Sequence, residues 1–455
     1  MTNKKTLTTM IAAGLALSGF AFDARKDRPT PPKSIFNETA EQRDARRAWW
    51  VHDRFGMFIH FGLYALPARH EWVQSTERIS PASYESRYMK YFDPDLFDAR
   101  EWARSAKAAG MKYMVLTTKH HEGFCMWDTK TTDYKITNTP FKRDLVREYV
   151  EACRAEGLKV GFYFSIKDWH HPDYLIDQTH PSRPSEGFTD ETYEKVNAGK
   201  EWNRYRECMY EQVRELLGNY GKIDFVWFDY TVKSRYGKNW KHWEAVELLK
   251  MVRKLQPGII FDDRLDLDET EDGYDFVTPE QCRVTKWPER NGKRMPWETC
   301  QTFSGSWGYY RDEATWKSPH QLIEMLINSV AYGGNLIMNV GPTARGEFDY
   351  RAKDRLDAFG KWMHGNSRAI YGCTMAPEEF KTPVDSLLTY NPETRRLYVH
   401  ILNYPMGTLP VAFADKIAHA QFLHDASEIK VRGGSISLPM VKPNQEIPVV
   451  ECFLK

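Results

Sequence analysis

Side chains that can act as nucleophiles, bases or metal ligands recur along this chain within or directly after short apolar runs. His60 lies in GMFIHFGLY, the pair His120 and His121 follows KYMVLTTK, and Asp229 ends IDFVWFD. A carboxylate at such a position could attack an electrophilic carbon, and imidazoles could donate hydrogen bonds or bind a metal. Each residue also has a purely structural interpretation, because an Asp after a strand often caps the next helix and a single His is often a packed core residue.

Further chemical groups stand in comparable positions. Tyr163 lies in LKVGFYFS, Arg264 follows two aspartates after the run IIF, and Glu71 with Trp72 lies in the loop after the first run. Taken singly, each of these positions is weak evidence of function. They form a site only if the fold brings the ends of the runs together.

The apolar runs are predicted strands that alternate with predicted amphipathic helices. One helix begins at Asp98, which has Glu101 at capping-box spacing, and ends at Gly110. Strands that are apolar throughout and alternate with helices predict a parallel sheet buried on both faces, and a (β/α)8-like barrel fits the length. The carboxyl ends of barrel strands meet at one rim, so the polar groups should converge there. The predicted strands cover 56–64, 112–118, 158–165, 223–229, 259–263 and 334–340.

The pattern changes after Gly372. The stretches LLTYNPETRRLYVHIL and KIAHAQFLHDASEIKVRG alternate short β-type runs with turn signals and show little helical period. This region predicts a small C-terminal antiparallel β-sandwich. The predicted organisation is a signal peptide over 1–24, a leader over 25–40, a (β/α) barrel over 41–372 and a sandwich over 373–455.

The amino terminus has the pattern of an export signal. Lys4 and Lys5 precede an apolar run over 10–22, and Gly19 and Ala21 stand at the small-residue spacing of a cleavage site. The run is shorter than the roughly 20 residues that a membrane-spanning helix needs, and no later run is long enough. The sequence therefore predicts a periplasmic or secreted protein without a membrane span.

The composition excludes several classes of protein. The 63 Lys+Arg against 62 Asp+Glu leave a formal charge of +1, too little for a general nucleic-acid binder. Hydrophobic residues at 42% and charged residues at 27% exclude wholesale disorder. The 14% of aromatic residues suits either a large core or stacking against a flat ligand. Seven scattered cysteines without a CxxC pair predict neither a zinc site nor a disulfide framework.

Long blocks of this sequence resemble the conserved blocks of α-L-fucosidases, glycoside hydrolase family 29. They occur in order from about Trp50 to Gly372: RFGMFIHFGLYALPARHEW, KYMVLTTKHHEGFCMWDTKTTDYKITNTPFKRDLV, GFYFSIKDW, DFVWFDY and GGNLIMNVGPTARGEF. The resemblance implies a (β/α) barrel with a C-terminal β-sandwich. It further implies retaining hydrolysis of α-L-fucosides in fucosylated oligosaccharides or glycoconjugates, without a metal or other cofactor.

The resemblance also implies roles for two carboxylates. Asp229 matches the family nucleophile, which must be ionised to form a glycosyl-enzyme intermediate. Glu280, in DFVTPE, matches the block that carries the acid/base, which must begin the reaction protonated, with its pKa raised by burial and by the neighbouring Asp. Glu269, Glu271 and Glu298 lie in the same region and stay open as alternatives for the acid/base.

The remaining residues that match the family predict sugar recognition. Tyr163 would bond the sugar or brace the nucleophile, and Trp72 and Trp307 would offer apolar faces to the 6-methyl group of fucose. Hydrogen bonds to the ring hydroxyls would come from His60, Glu71, His120, His121 and Arg264.

Three alternatives compete with a fucosidase. A metal-dependent barrel hydrolase would use His60, His120, His121 and Asp229 as ligands, although adjacent histidines on a strand would point to opposite faces. A sugar-binding protein without activity could share the fold. An α-L-galactosidase would differ in one hydroxyl at the position of the methyl group. The sequence contains no pattern that indicates the linkage cleaved or the oligomeric state.

Overall fold

The computed structural model describes residues 29–231 and 234–455, so the predicted signal peptide lies outside the described residues. Within these ranges the helices α1 to α10 span, in order, Ala40–Asp53, Val73–Thr76, Pro81–Tyr88, Ala99–Ala108, Leu145–Ala155, Asp190–Asn197, Trp202–Gly218, Ala245–Leu255, Pro319–Ala331 and Tyr350–Asn366. The strands β1 to β17 span Phe55–Ile59, Tyr113–Lys119, Lys159–Ser165, Phe225–Asp229, Ile260–Phe261, Glu289–Arg290, Lys293–Arg294, Glu298–Thr302, Asn335–Val340, Thr374–Met375, Ser386–Asn391, Arg396–Ile401, Thr408–Pro410, Ile417–Phe422, Val431–Arg432, Ser435–Ser437 and Val449–Leu454.

Seven of these strands form one curled parallel sheet in the order β5-β4-β3-β2-β1-β9-β8. All residues of β1, β2, β4 and β9 are buried, as expected for strands covered on both faces. The predicted barrel is therefore confirmed. The sequence did not predict β8, because its residues ETCQT are polar and lack the apolar run that marks the other strands.

An irregular segment, residues 275–281, bridges the gap between the edge strands β5 and β8. On one side the Asp275 N–H donates to the Phe261 carbonyl at 2.8 Å. On the other side the segment makes isolated parallel bridges, one between Glu280 and Cys300 and one from Val277 to the residue before β8. This segment takes the place of a barrel strand but lacks regular pairing.

Helix α1 closes the end of the barrel at which the strands begin. Trp50 is buried in the barrel interior, and its indole N–H donates to the Glu298 carboxyl at 3.1 Å. Tyr113, the first residue of β2, donates its hydroxyl to the same carboxyl oxygen. Arg46 of α1 pairs with Asp275 at 2.5 Å, so the helix also supports the irregular segment.

The predicted start of α4 at Asp98 and its end at Gly110 are confirmed. The Asp98 carboxylate accepts the backbone N–H groups of Arg100 and Glu101 and so caps α4. Gly110 follows the helix with φ +88, a left-handed conformation that favours glycine.

The C-terminal region consists of antiparallel sheets, as predicted. A five-stranded sheet, β10-β11-β12-β17-β14, packs against a three-stranded sheet, β13-β16-β15. Leu397, Val450 and Ile436 lie in the core between them. The C-terminal region also contacts the barrel helix α10, where the Trp362 indole N–H donates at 2.8 Å to the carbonyl of Ile447, two residues before β17.

Part of the predicted leader is tied to the barrel. The Asp272 carboxylate accepts the backbone N–H groups of Ile35 and Phe36 at 2.6 and 2.9 Å. The Phe36 ring lies 6.2 Å from the Phe261 ring. Residues 35–36 therefore pack on the barrel although their polar surroundings in the sequence suggest only a connecting segment.

Among the helices of the described residues, none has both the length and the apolar character needed to cross a bilayer.

Candidate active site

A cavity opens at the rim where the barrel strands end. Nine of the ten predicted site residues line it, and the tenth, Glu71, does not. The convergence follows from the parallel sheet, in which each strand ends at the same rim. The lining residues are Phe58, His60, Trp72, His120, His121, Tyr163, Trp227, Asp229, Tyr230, Arg264, Glu280, Cys300 and Trp307.

Asp229 is the last residue of β4, and its side chain is buried at the centre of the site. Its Oδ2 accepts the Tyr163 hydroxyl at 2.7 Å, and its Oδ1 accepts Arg264 Nη1 at 3.0 Å. Burial raises the pKa of this carboxyl above its ordinary value, while Arg264 and the Tyr163 hydrogen bond act in the opposite direction. The carboxylate is therefore held in a fixed position by two donors that favour its ionised form.

Arg264 joins the two predicted catalytic carboxylates. While Nη1 donates to Asp229, Nη2 donates to Glu280 Oε2 at 2.7 Å, and Nε donates to Thr278 Oγ1 at 3.0 Å. The guanidinium lies over the Trp227 ring, 4.4 Å from its centroid. Each of the three guanidinium nitrogens therefore donates within the protein, and two of them bind the carboxylates.

Glu280 lies on the irregular segment and is much more accessible than Asp229. Its side chain is 42% exposed, and its carboxylate pairs with Arg264 in the cavity. The sequence-based expectation of a buried acid/base is therefore wrong in this state. The exposure follows from the position of Glu280 on a segment without regular strand pairing.

The three alternative glutamates differ from Glu280 in that they do not line the cavity. Glu271 is 58% exposed and pairs with Lys33 on the leader side. Glu298 is completely buried at the opposite end of the barrel, under Trp50, and burial raises its pKa to about 8. Glu269 is part of the long stretch between β5 and the irregular segment.

The three histidines are buried and uncharged. His60 Nδ1 lies 2.6 Å from Asn339 Oδ1, and burial lowers the pKa of His60 to about 3. His121 Nδ1 lies 2.7 Å from Ser165 Oγ, and its Nε2 lies 3.8 Å from Asp229 Oδ2. Burial likewise lowers the pKa of His120 and His121 well below the ordinary range. Neutral rings offer one donor and one acceptor each, as recognition of hydroxyl groups requires.

The predicted geometry of the histidine pair is wrong. Because β2 ends at Lys119, both His120 and His121 lie beyond the strand, and their ring centroids are 4.1 Å apart on the same side of the cavity. Even so, no three His, Cys, Asp or Glu side chains in residues 29–231 and 234–455 are grouped as a metal site would require. The described residues therefore contain no ligand set for the metal-dependent hydrolase that was the alternative to a fucosidase.

Glu71 does not line the cavity, but it binds the backbone of the loop that carries Trp307. Its Oε2 accepts the backbone N–H groups of Gly308 at 2.8 Å and of Trp307 at 3.2 Å. The Trp307 ring packs 5.1 Å from His60, and the Trp307 carbonyl accepts Asn339 Nδ2 at 2.6 Å. Glu71 therefore holds the loop that carries Trp307, a role that the sequence did not indicate.

Aromatic rings form much of the remaining wall. Trp72 packs edge-on against His121 at 5.0 Å, and Tyr163 stacks on His120 with centroids 5.8 Å apart. Sequence reasoning missed Phe58, Trp227, Tyr230 and Cys300. Two of them could have been found from their spacing. Phe58 lies two residues before His60, and Trp227 lies two residues before Asp229. Side chains two residues apart on a strand share a face.

Comparisons with known proteins show the family to which this chain belongs. A family model described as alpha-L-fucosidase matches residues 25–368. The plasma alpha-L-fucosidase of Homo sapiens is 28% identical over 451 residues, which cover 93% of this chain and 90% of that protein. The alpha-L-fucosidase of Dictyostelium discoideum is 30% identical over 358 residues, which cover 71% of each.

Solved structures show the same fold. Alpha-L-fucosidase isoenzyme 1 from Paenibacillus thiaminolyticus superposes with a TM-score of 0.83 and 41% identity, covering 91% of this chain and 99% of that one. A family 29 alpha-L-fucosidase from Bacteroides thetaiotaomicron has a TM-score of 0.75 and 27% identity, with coverages of 94% and 98%. In that structure a covalent intermediate was trapped with 2-fluoro-fucosyl fluoride in a Glu-to-Gln variant.

Proposed function

Because this chain belongs to the α-L-fucosidase family, glycoside hydrolase family 29, we propose that it removes terminal α-L-fucose from glycans with Asp229 as nucleophile and Glu280 as acid/base. The observation that carries this proposal is the single Arg264 guanidinium that contacts both carboxylates in one cavity. A nucleophile and a proton donor must flank the same glycosidic bond, and a shared arginine keeps them close together.

In the first step the Asp229 carboxylate attacks the anomeric carbon. A carbon–oxygen bond forms to Asp229 while the glycosidic bond breaks and its electron pair leaves with the aglycone oxygen. Glu280 transfers its proton to that oxygen, so the leaving group departs as a neutral alcohol. Tyr163 and Arg264 keep the attacking oxygens oriented until the bond forms.

In the second step Glu280, now a carboxylate, removes a proton from a water molecule. The water oxygen attacks the anomeric carbon from the face that the aglycone has left, and the bond to Asp229 breaks. Two inversions give net retention. The 42% exposure of Glu280 suits this step, because the residue must meet incoming water.

The neutral histidines and the aromatic wall suit fucose. His60, His120 and His121 would bond ring hydroxyls, and Trp72 and Trp307 would cover the methyl group. An α-L-galactoside would place a hydroxyl against these apolar faces. We expect a preference for the fucoside of about 10- to 200-fold, measured as the ratio of kcat/KM values for matched aryl glycosides.

The stereochemistry of the first-formed sugar tests the proposed mechanism. NMR spectra recorded during hydrolysis should show α-L-fucose before mutarotation produces the β anomer. Initial β-L-fucose would require an inverting pair about 6.5–9.5 Å apart, instead of the about 5–5.5 Å of a retaining pair, and would overturn the proposal.

We also propose export and a two-part mature protein, with the barrel over 41–372 and the sandwich over 373–455. The charged residues and apolar run at the amino terminus support export. N-terminal sequencing should show that the native protein begins after Ala21 or Ala24. The protein should be found outside the cytoplasm. Native protein that retains Met1 would contradict export without affecting the proposed reaction.

A further inference from the structure

The residue that follows the proposed nucleophile has an unusual backbone. Tyr230 has φ +87, in the region that favours glycine and that other side chains rarely adopt. Its ring lines the cavity and packs 4.9 Å from His121 and 5.6 Å from Trp72. A strained residue persists only where the surrounding contacts hold it, and such strain is concentrated at functional sites.

A buried lysine lies against the Tyr230 ring. The Lys167 ammonium is 3.6 Å from the ring centroid, and Lys167 is only 1% exposed. A cation this close to an aromatic face and removed from water is strongly attracted to the ring. Lys167 comes from the loop after β3, whereas Tyr230 begins the loop after β4, so this contact joins two loops of the rim.

Asp177 and Thr179 fix the position of this ammonium, because Lys167 Nζ also donates to Thr179 Oγ1. Asp177 lies 3.4 Å from the Lys167 ammonium, and Tyr174 donates its hydroxyl to Asp177 at 2.7 Å. A second buried lysine, Lys238, lies 3.6 Å from the same carboxylate, but its ammonium faces the Tyr174 ring. Lys167 and Lys238 therefore share a partner and a degree of burial, and of the two Lys167 is the one placed over Tyr230.

We propose that Lys167 is a positioning residue that holds Tyr230 in its strained conformation through a cation–π contact and thereby orients Asp229 for attack. This inference rests on the proposed function, because it assumes that Asp229 is the nucleophile. Lys167 is absent from the cavity lining, and its proposed effect on the orientation of Asp229 passes through Tyr230.

The rate of covalent labelling by 2-fluoro-fucosyl fluoride tests the inference directly. In this reaction the Asp229 oxygen forms a bond to the anomeric carbon while the carbon–fluorine bond breaks and fluoride leaves with the electron pair. Fluoride needs little protonation, so the rate reports the attack by Asp229 and depends little on Glu280. Peptide mapping of the labelled wild-type protein would locate the modified residue.

Three lysine variants separate positioning from stability. We expect Lys167→Met to label about tenfold more slowly than wild type, and Lys167→Arg, which keeps a cation over the ring, to remain within about threefold. Lys238→Met removes an equally buried ammonium from the same aspartate and should label at the wild-type rate, even if its thermal stability falls as much as that of Lys167→Met. Equal labelling rates for Lys167→Met and Lys238→Met would overturn the inference.

Substitutions of Tyr230 supply a second test, which holds even if Lys167→Met does not fold. Tyr230→Phe keeps the ring and should label faster than Tyr230→Gly, which should be about tenfold slower than wild type. Adding Lys167→Met to Tyr230→Gly should cause no further loss, because the contact is already absent. Equal rates for the Phe and Gly variants would overturn the inference. Labelling of wild-type protein at a residue other than Asp229 would instead refute the proposed function.

Discussion

The two sides of the barrel hold the two proposed catalytic carboxylates in different ways. On the regular side, β1 to β4 and β9 pair along most of their length, and Asp229 is in register with Ser165 of β3 at the end of a five-residue strand. On the irregular side, from β5 to β8, Glu280 lies on the segment 275–281, which has only isolated bridges to its neighbour. The side chain of Asp229 is 12% exposed and that of Glu280 is 42% exposed.

The difference matches what each group has to do. A nucleophile must meet one carbon atom along one direction, so a rigid strand and fixed donors are an advantage. An acid/base must exchange a proton with the leaving group and then with water, which a more accessible residue can do. The regular side thus supplies precise position, and the irregular side supplies access.

Loss of the nucleophile should have the largest effect. We expect Asp229→Asn to lower kcat by roughly 10⁴-fold or more with the fold intact, because no covalent intermediate can form. Circular dichroism would verify the fold. Azide should partly restore activity to Asp229→Ala and produce a fucosyl azide of inverted configuration. Turnover of Asp229→Asn near the wild-type value would show that the nucleophile lies elsewhere.

Loss of the acid/base should depend on the leaving group, in contrast to loss of the nucleophile. For Glu280→Ala we expect kcat/KM to fall by about 10²- to 10⁴-fold on a natural disaccharide and far less on an activated aryl fucoside, which needs little protonation. Equal losses on both substrates would exclude Glu280 as the acid. Glu269→Ala, Glu271→Ala and Glu298→Ala would then be compared in the same assay.

The arginine that joins the two sides should have an intermediate effect. Arg264→Lys keeps a positive charge but cannot contact both carboxylates with one planar group, so we expect kcat/KM to fall by about 10- to 100-fold. Arg290→Lys is a matched control, since Arg290 pairs with Asp263 at 2.6 Å outside the cavity. Similar losses in both variants would indicate that Arg264 acts on stability rather than on the carboxylates.

The smallest effect concerns the pH dependence of stability on the irregular side. Burial raises the pKa of Glu298 to about 8 in the folded protein, above its ordinary value of 4.5. The folded protein therefore holds a proton that the unfolded chain releases, so the stability from this group falls as pH rises from about 4.5 to about 8. Glu298→Gln, which resembles the neutral acid, should weaken this decline and raise the melting temperature at pH 8 by a few degrees.

Glu122 provides the matched control on the regular side. It is also buried, its pKa is also raised to about 8, and it accepts the Tyr84 hydroxyl at 2.7 Å and the Leu63 N–H at 3.0 Å. Glu122→Gln should weaken the decline by a similar amount, and the double variant should weaken it further. A melting temperature of Glu298→Gln that follows the wild-type curve at every pH would contradict the assignment of a proton to Glu298.

The regular side could be predicted from sequence and the irregular side could not. The strands that carry His60, Tyr163 and Asp229 are apolar runs, and such runs must be buried whatever their neighbours are. By contrast, β8 is polar along its length, and the segment 275–281 pairs irregularly, so neither has a local signature. The role of Glu71 was equally hidden, because its partners are backbone groups more than 230 residues away.

The sequence by itself determined the order of strands and helices, the family and the identity of most groups in the cavity, because apolar periodicity, helix caps and long residue blocks are local properties. Only the tertiary structure decided which groups touch. Arg264 lies between Asp229 and Glu280, His120 and His121 face the same cavity, and Lys167 lies under Tyr230. These contacts join residues from different strands and loops, and their distances depend on how the barrel closes, which no local pattern encodes.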